Sequence, residues 1–370
     1  MKWYHSLVFT LNNKESEHMH RLSHSQSISL ESMRGISAIV VVLCHSFQIF
    51  VARYASDYFN YVVMAAQASV MVFFVLSGFL IGKSIQSNIN INKKFDLLAY
   101  LKNRLIRIYP PLLLSIILVY LLAFLAPYFF ESKNVLMKNP DSWLENINLL
   151  FNSNQIISAI TFTNGILPVS TPFNTPLWSL PIEVWYYIVV GLFFTRNPIF
   201  VILSICIFLL MSSAKYEFFM YSFVWFSGFM TSLVNPKSKL ALILYTSILS
   251  VFISLCLKFG YEYNMNKNTI HYYNLFFGLS FCCFVYIYII RLDKNIRIIP
   301  SSSYYSYTLY LIHIPVMIFI AGVFESSVLL DYKVSIILAL LSVVTCIVIA
   351  KYSSGIVENK RKINELLSWK

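Results

Sequence analysis

The sequence predicts an all-α polytopic membrane protein with about ten transmembrane helices and both termini in the cytoplasm. Three observations lead to this fold class. First, the 370-residue chain is 58% hydrophobic and only 12% charged, with a mean hydropathy of +0.67, whereas ordinary soluble domains carry about 25% charged residues. Second, apolar runs long enough to cross a bilayer recur along most of the chain. Third, basic residues concentrate in alternate connections between those runs.

Lys and Arg set the predicted orientation, because they favour cytoplasmic connections. With the N-terminus inside, 21 of the 28 Lys and Arg residues fall on the cytoplasmic side. This bias explains the net charge of +12 without a nucleic-acid partner. We expect a polar cytoplasmic tail over residues 1–29, a membrane domain over 30–358 and a basic cytoplasmic tail over 359–370. The predicted spans are residues 36–53, 62–85, 111–130, 178–195, 198–214, 217–234, 240–257, 271–290, 304–324 and 334–352.

The first span carries a cation at its cytoplasmic mouth and an imidazole in its interior. Arg34 and His45 are eleven residues apart, which places them on one stripe of an α-helix, about 16 Å apart along its axis. We therefore expect Arg34 near the cytoplasmic surface and His45 near the middle of the bilayer. Ionisable groups inside a span are costly and indicate a functional site. The alternative is a histidine that only hydrogen-bonds to a neighbouring helix.

The next two spans offer a packing face and a pair of arginines. Gly78 and Gly82 form a small-xxx-small face that permits close helix approach, and their spacing does not fit a phosphate-binding loop. Arg104 and Arg107 lie at i and i+3 on the cytoplasmic side, before a helix predicted to begin at the double proline that follows. Two guanidinium groups on one face suit phosphate. The positive-inside bias alone also explains basic residues at this place.

A long outer connection over residues 131–177 precedes the fourth span. Its segment 143–164 is either a re-entrant or interfacial helix or an ordinary polar loop, and its asparagines beside Trp143 and Phe162 would suit a sugar. The fourth span is expected to enter from the outer side. Glu183 lies within its first two turns and is the acidic residue placed inside a span. A lone carboxylate at that depth is either partnered or catalytic.

The ninth span carries a second histidine. Ser306, Tyr310 and His313 follow i, i+4, i+7 spacing and share one helix face. His313 is expected about 15 Å into the membrane, at the same depth as His45. Pro315 is expected to release a backbone carbonyl just past His313. Such polar residues either take part in chemistry or hydrogen-bond between helices.

No metal site or disulfide framework is predicted. His18, His20 and His24 lie in the polar N-terminal tail, and no arrangement of Cys or carboxylates completes a site with them. The six cysteines fall inside apolar runs, where they are expected to be small buried hydrophobic residues.

Five segments together resemble the acyltransferase-3 family of integral-membrane O-acyltransferases. They are "LESMRGISAIVVVLCH", "FFVLSGFLI", "RLIRIYPP", "LWSLPIEVWYY" and "YSYTLYLIHIP", in the family's order. The resemblance covers about residues 30–358. Three departures are visible: Glu31-Ser32-Met33 precedes Arg34-Gly35 where the family has Asp-Gly-Leu, Thr308 stands where Ser is common, and no Pro follows soon after Glu358.

The resemblance implies a multi-pass enzyme of the bacterial inner membrane. It would transfer an acyl group, most often acetyl, from cytoplasmic acyl-CoA to a hydroxyl of a glycan or glycolipid, without a metal. Arg34, Arg104 and Arg107 would bind the CoA, and His45 would be the base or the nucleophile. Glu183 would position the acceptor or orient an imidazole, and Tyr310 and His313 would stabilise the oxyanion. We expect a chain without a fused extracytoplasmic domain, and the oligomeric state stays open. The alternative is a proton-coupled transporter or flippase of a polysaccharide precursor, with His45, Glu183 and His313 as a proton relay.

Overall fold

The computed structural model describes residues 22–133, 149–169 and 171–367. Across these ranges the regular structure is helical, apart from one isolated bridge between Asn164 and Leu167. The α-helices are α1 His24–Ser46, α2 Phe59–Asn92, α3 Leu97–Phe129, α4 Ser153–Ile160, α5 Ser179–Phe194, α6 Pro198–Ala214, α7 Tyr216–Leu233, α8 Lys239–Asn266, α9 Ile270–Phe284, α10 Ser306–Val323, α11 Glu325–Leu330, α12 Tyr332–Val357 and α13 Lys360–Leu367. Wider π-helical turns extend α1 to Val51 and α9 to Arg291.

The predicted all-α polytopic fold is confirmed. Each of the ten predicted spans falls on one helix, and eight of these helices are long and apolar enough to cross a membrane. The other two are α6, which is apolar but has only 17 residues, and α7. Four of the six cysteines are buried as expected, whereas Cys206 is exposed and Cys256 is partly exposed. The histidines at positions 18 and 20, and Trp143, lie outside the described residues.

The helices are longer than the apolar runs, and the start of α3 corrects a prediction. Pro110 and Pro111 do not begin this helix but lie inside it, thirteen and fourteen residues after its first residue, Leu97. The helix begins early because the Asp96 side chain caps it, accepting a hydrogen bond of 2.9 Å from the Ala99 amide. As a result, Arg104 and Arg107 project from a regular helix rather than from a connecting loop.

One end of the bundle gathers the segments predicted to be cytoplasmic. Ser25 Oγ donates to Asp293 Oδ1 at 2.6 Å, and Lys360 Nζ donates to Asn103 Oδ1 at 2.7 Å. Arg291 donates to the carbonyl of Pro236 at 2.9 Å. The first and last helices of the described chain therefore end on the same side. That this side faces the cytoplasm stays a prediction from the distribution of Lys and Arg.

The small-residue packing face predicted on the second span is confirmed. A Cβ atom at Gly78 would lie 2.0 Å from the carbonyl oxygen of Trp225, and one at Gly228 would lie 2.2 Å from that of Val75. Because only hydrogen fits at these positions, α2 and α7 pack backbone against backbone. This contact brings Ser77 of α2 next to the Trp225 indole of α7.

The segment before α5 enters the bundle instead of crossing its outer surface. The carbonyl of Ile160, the last residue of α4, accepts from Tyr109 Oη at 3.1 Å, and that of Phe162 accepts from Trp185 Nε1 at 2.9 Å. Further along, the fully buried Asn174 donates to the Leu311 carbonyl of α10 at 2.6 Å. The described part of the outer connection, called the re-entrant segment below, thus packs into the bundle, and residues 143–148 lie outside the described ranges.

Pro315 explains why that anchor exists. Proline has no amide hydrogen, so the carbonyl four residues earlier loses its helical partner. That carbonyl belongs to Leu311, which precedes His313, so the expectation of a freed carbonyl just past His313 is wrong. Leu311 instead accepts from Asn174 and from Ser115 Oγ at 2.7 Å.

Candidate active site

A cavity lies between α1, α2, α3, α5 and α10, in the half of the bundle nearest the predicted cytoplasmic end. Its empty volume, open solvent included, is about 860 Å³. Apolar side chains of α2 form much of its wall. Its polar lining consists of Arg34, Ser77, Arg104, Arg107, Ser179, Glu183, Tyr187, Ser306, Tyr307 and Tyr310.

The structure therefore places Glu183 in the same cavity as the three arginines. The sequence had put Glu183 near the outer surface, on the assumption that its span begins there. The re-entrant segment carries the chain into the bundle before α5 begins. The first residue of α5, Ser179, therefore lies at the level of Tyr310, with its Oγ 2.8 Å from Tyr310 Oη. One turn later, Glu183 faces the basic half of the bundle.

The arginines leave donors unused. Arg34 Nη2 donates to the Ser303 carbonyl at 3.0 Å, and Arg104 Nη2 donates to Ser84 Oγ at 3.1 Å. The Nε atoms of both arginines are buried without a hydrogen-bond partner, as is the hydroxyl of Tyr307. Within the described ranges, no carboxylate forms an ion pair with either of them or with the exposed Arg107. Buried donors without partners are unfavourable, so the cavity is suited to an anionic, acceptor-rich ligand.

A directional hydrogen-bond chain holds Glu183. Trp225 Nε1 donates to Ser77 Oγ at 3.1 Å, and Ser77 Oγ lies 2.8 Å from Tyr187 Oη. The hydroxyl of Tyr187 donates to Glu183 Oε1, so the proton between Ser77 and Tyr187 must come from Ser77. Every donor in the chain thus points toward the carboxylate, which fixes its orientation.

Sequence reasoning missed two members of this chain. Tyr187 stood four residues after Glu183 and so on the same helix face, but Ser77 and Trp225 belong to other helices. The one signal for them was Gly78, which permits the close contact that brings them together. Tyr186 has a different role, since its hydroxyl donates to the Phe218 carbonyl of α7.

The two histidines, predicted at the same depth, are in contact with each other. His313 Nε2 lies 3.4 Å from His45 Nδ1, and the ring centroids are 5.1 Å apart. His313 is fully buried, whereas His45 is partly exposed. Neither histidine lines the cavity; Tyr310 links them to it, with its ring centroid 6.0 Å from that of His313.

Backbone carbonyls fix the tautomers of both rings. His45 Nδ1 lies 2.9 Å from the Val41 carbonyl, and His313 Nδ1 lies 3.1 Å from the Leu309 carbonyl. A carbonyl only accepts, so both Nδ1 atoms carry the proton and both Nε2 atoms carry a lone pair when the rings are neutral. His45 therefore presents an unprotonated Nε2, and the lone pair of His313 Nε2 lies 3.4 Å from His45 Nδ1.

Tyr310 already uses its proton. Its hydroxyl donates to the Pro176 carbonyl at 2.9 Å and accepts from Ser179 Oγ at 2.8 Å. In this arrangement the phenol holds the re-entrant segment against α10. Its expected role at an oxyanion stays a prediction and would require this hydrogen bond to open.

Glu358, whose role the sequence did not decide, joins the end of α12 to the start of α10. Its Oε1 accepts from the Thr308 amide at 2.9 Å and from Thr308 Oγ1 at 2.6 Å. Burial raises the pKa of this carboxyl, while Thr308 and the positive charges of Arg34 and Arg107 act in the opposite direction. Glu358 thus places a carboxyl group behind the arginine cluster.

These features define a class of protein: a multi-pass membrane protein with a buried basic cavity beside a pair of contacting histidines. A family model described as an acyltransferase domain, that of the acyltransferase-3 family, matches residues 27–352. The chain therefore belongs to this family and is a membrane acyltransferase. No curated protein and no solved structure matches it.

Proposed function

We propose that this protein is an O-acyltransferase of the bacterial inner membrane. It moves an acyl group, acetyl in the first instance, from cytoplasmic acyl-CoA to a sugar hydroxyl of a surface polysaccharide or glycolipid. The observation that carries the proposal is the pairing of an arginine-lined cavity, which has buried unpartnered donors, with an adjacent imidazole whose Nε2 carries a lone pair.

The arginines support acyl-CoA as the donor. CoA carries several phosphate charges, and guanidinium groups bind phosphate through paired charge-assisted hydrogen bonds. Arg34, Arg104 and Arg107 surround one end of the cavity. From Arg34 to His45 the helix rises about 16 Å, a distance that the extended pantetheine arm can cover. In this view phosphates remain at the basic end while the thioester reaches the histidines.

His45 acts as the general base in the proposed reaction. Its Nε2 takes the proton of the sugar hydroxyl as the oxygen attacks the thioester carbonyl. The tetrahedral intermediate then expels the CoA thiolate, which takes the proton back from Nε2–H. The products are the sugar ester and free CoA, and His45 is again neutral.

His313 supports His45 in this cycle. When His45 becomes an imidazolium, the lone pair of His313 Nε2 stabilises its positive charge from a distance of 3.4 Å to His45 Nδ1. A base is more effective when a third group holds its tautomer and stabilises its charged form. Glu183 Oε1 accepts a hydrogen bond from Tyr187. In the proposed reaction the second carboxylate oxygen of Glu183 accepts from a donor group of the bound substrates.

The test uses purified full-length protein in lipid nanodiscs with radiolabelled acetyl-CoA and the deacetylated surface glycan of the source cells. Wild type should move label to the glycan, and His45→Ala should lower the rate by about 100-fold or more, the usual contribution of a general base. His24→Ala, at the exposed start of the same helix, is the matched control and should retain the rate. A His45→Ala protein that acylates at the wild-type rate would refute the assignment.

The same assay separates the other mechanisms. Label that stays on the protein when the glycan is omitted, and is absent from His45→Ala, would assign His45 as a nucleophile that forms an acyl-imidazole. Glycan that crosses the membrane of proteoliposomes unlabelled would favour the transporter alternative.

A further inference from the structure

A second group of polar side chains lies at the opposite end of the bundle from the arginines. Tyr221 of α7 and Asn274 of α9 form its buried base, with Asn274 Nδ2 donating to Tyr221 Oη at 2.9 Å. Tyr221 Oη lies 3.0 Å from His271 Nδ1, and His271 Nε2 lies 4.0 Å from Glu217 Oε1. The side chains of Glu217 and His271 are each 32% exposed. The network thus runs from a buried amide to an accessible acid and imidazole.

The network has a fixed direction and one orphan acceptor. The two hydrogens of Asn274 Nδ2 go to Tyr221 Oη and to Gln67 Oε1, the latter at 3.1 Å. Because Tyr221 accepts from Asn274, its own proton is available for His271 Nδ1, which leaves a proton on His271 Nε2 facing Glu217. Asn274 Oδ1 is buried without a hydrogen-bond partner, an unfavourable state that a bound donor group would relieve.

Aromatic rings and a cation surround this network. The ring of Trp178 lies 5.9 Å from that of Tyr221, and Lys215 Nζ lies 5.8 Å from the Trp178 centroid. Tyr216, which is 49% exposed, packs edge-on against His271 at 5.7 Å. Rings provide apolar faces, while the acid, imidazole and amine provide directional hydrogen bonds. That combination matches a sugar, which has apolar C–H faces and a rim of hydroxyls.

The network adjoins the cavity. The ring of Tyr221 lies 5.9 Å from that of Phe74, and Phe74 lines the cavity wall. Trp178 directly precedes Ser179 and Leu180, which line the cavity as well. A ligand held at Trp178 and Tyr221 would therefore lie at the end of the cavity that is farthest from the arginines.

We infer that Trp178, Lys215, Tyr216, Glu217, Tyr221 and His271 form the binding site for the carbohydrate acceptor, entered from the outer side. This inference rests on the proposed function, because it assigns the second substrate of that reaction. It places the two substrates at opposite ends of one passage, with the donor phosphates at the arginines and the sugar at the aromatic network.

The experiment uses purified full-length protein in nanodiscs and the deacetylated oligosaccharide repeating unit released from the surface glycan of the source cells. The test variant is Tyr216→Ala combined with Glu217→Gln. A matched control lies at the end of α8, where Tyr261 is 67% exposed and Glu262, among the described residues, pairs only with Lys258 of its own helix, at 3.9 Å. The control variant is Tyr261→Ala combined with Glu262→Gln.

We expect the test variant to raise KM for the oligosaccharide at least tenfold, with KM for acetyl-CoA within twofold of wild type, and the control variant to change neither. Calorimetric titration of the oligosaccharide without acetyl-CoA should show the same tenfold loss of affinity. An unchanged KM and affinity for the oligosaccharide, or a fall in kcat alone, would mean that the network only joins α7 to α9 and would overturn the inference. Titration needs no turnover, so oligosaccharide binding without label transfer would refute the proposed function while leaving this site intact.

Discussion

The Ser77 hydroxyl belongs to the hydrogen-bond chain that holds Glu183. Removing it should slow acyl transfer, although Ser77 takes no part in the chemistry. Ser77→Ala deletes the hydroxyl that accepts from Trp225 Nε1 at 3.1 Å and contacts Tyr187 Oη at 2.8 Å. The change adds no atoms, so it introduces no clash at the tight α2–α7 contact. It leaves the Trp225 indole N–H without an acceptor and Tyr187 with one anchor fewer.

The expected magnitude follows from those two hydrogen bonds. A buried hydrogen bond between neutral groups contributes about 1 kcal/mol, and an orphaned buried donor costs about 1–3 kcal/mol. We therefore expect the free energy of unfolding to fall by about 1–3 kcal/mol. With one anchor fewer, Tyr187 holds Glu183 less firmly, and a loss of about 1.4 kcal/mol in transition-state stabilisation corresponds to a tenfold lower rate.

A double-mutant cycle gives the decisive assay. Transfer of radiolabelled acetyl groups is measured for wild type, Ser77→Ala, Tyr187→Phe and the double variant. If the two residues act through one chain, the double variant should be about as slow as the slower single variant. Ser69→Ala is the control, because Ser69 is a buried serine of the same helix whose hydroxyl, within the described ranges, bonds only to the Ala65 carbonyl one turn earlier. If the rate losses of the two single variants multiply in the double variant, Ser77 and Tyr187 do not act through one hydrogen-bond chain, and the reasoning is refuted.

Two further predictions concern charge at the basic end. Arg104→Gln should raise KM for acetyl-CoA about tenfold while kcat changes little, since a charge-assisted hydrogen bond contributes about 1.5–3 kcal/mol. Lys102→Gln removes the same charge from an exposed position of α3 and should leave KM for acetyl-CoA unchanged. Equal effects of the two variants would mean that only the overall charge matters and would contradict a specific role of Arg104. Burial raises the pKa of the Glu358 carboxyl, so this group stabilises the fold below its unfolded pKa, and that contribution is lost as the pH rises through the folded value. Thermal unfolding at a series of pH values should show wild type losing stability relative to Glu358→Gln as the pH increases, and a difference independent of pH would contradict this reasoning.

Local patterns were sufficient for the parts of the site that lie on single helices. Arg34 and His45 share a stripe because an α-helix turns 100° per residue, and Tyr310 and His313 share a face for the same reason. The sequence also predicted matching depths for His45 and His313, since both were counted inward from the same basic end, but their contact comes from the structure. These inferences need only helical geometry and the thickness of the bilayer.

The failures arose where the path of the chain departs from a simple crossing. Glu183 was assigned to the outer half because a span was assumed to begin at the surface, whereas the re-entrant segment starts α5 at the level of Tyr310. The double proline was assigned to a helix start, whereas Asp96 begins the helix earlier. Neither error can be seen in hydropathy, which records how apolar a residue is and not how deep its neighbours lie.

The sequence by itself determined that this protein is a helical membrane protein of about ten spans, the family to which it belongs and the identity of its ionisable residues, because each of these follows from composition, periodicity or short motifs. Only the tertiary structure decided that three arginines and Glu183 share a cavity, that Ser77 and Trp225 hold that carboxylate, and that Tyr221 and Lys215 lie beside Trp178 at the other end. Ser77 and Trp225, for example, are 148 positions apart in the sequence. These features exist because two tertiary contacts bring distant segments together. Glycines allow α2 and α7 to pack closely, and Asn174 binds the Leu311 carbonyl that Pro315 leaves without a helical partner.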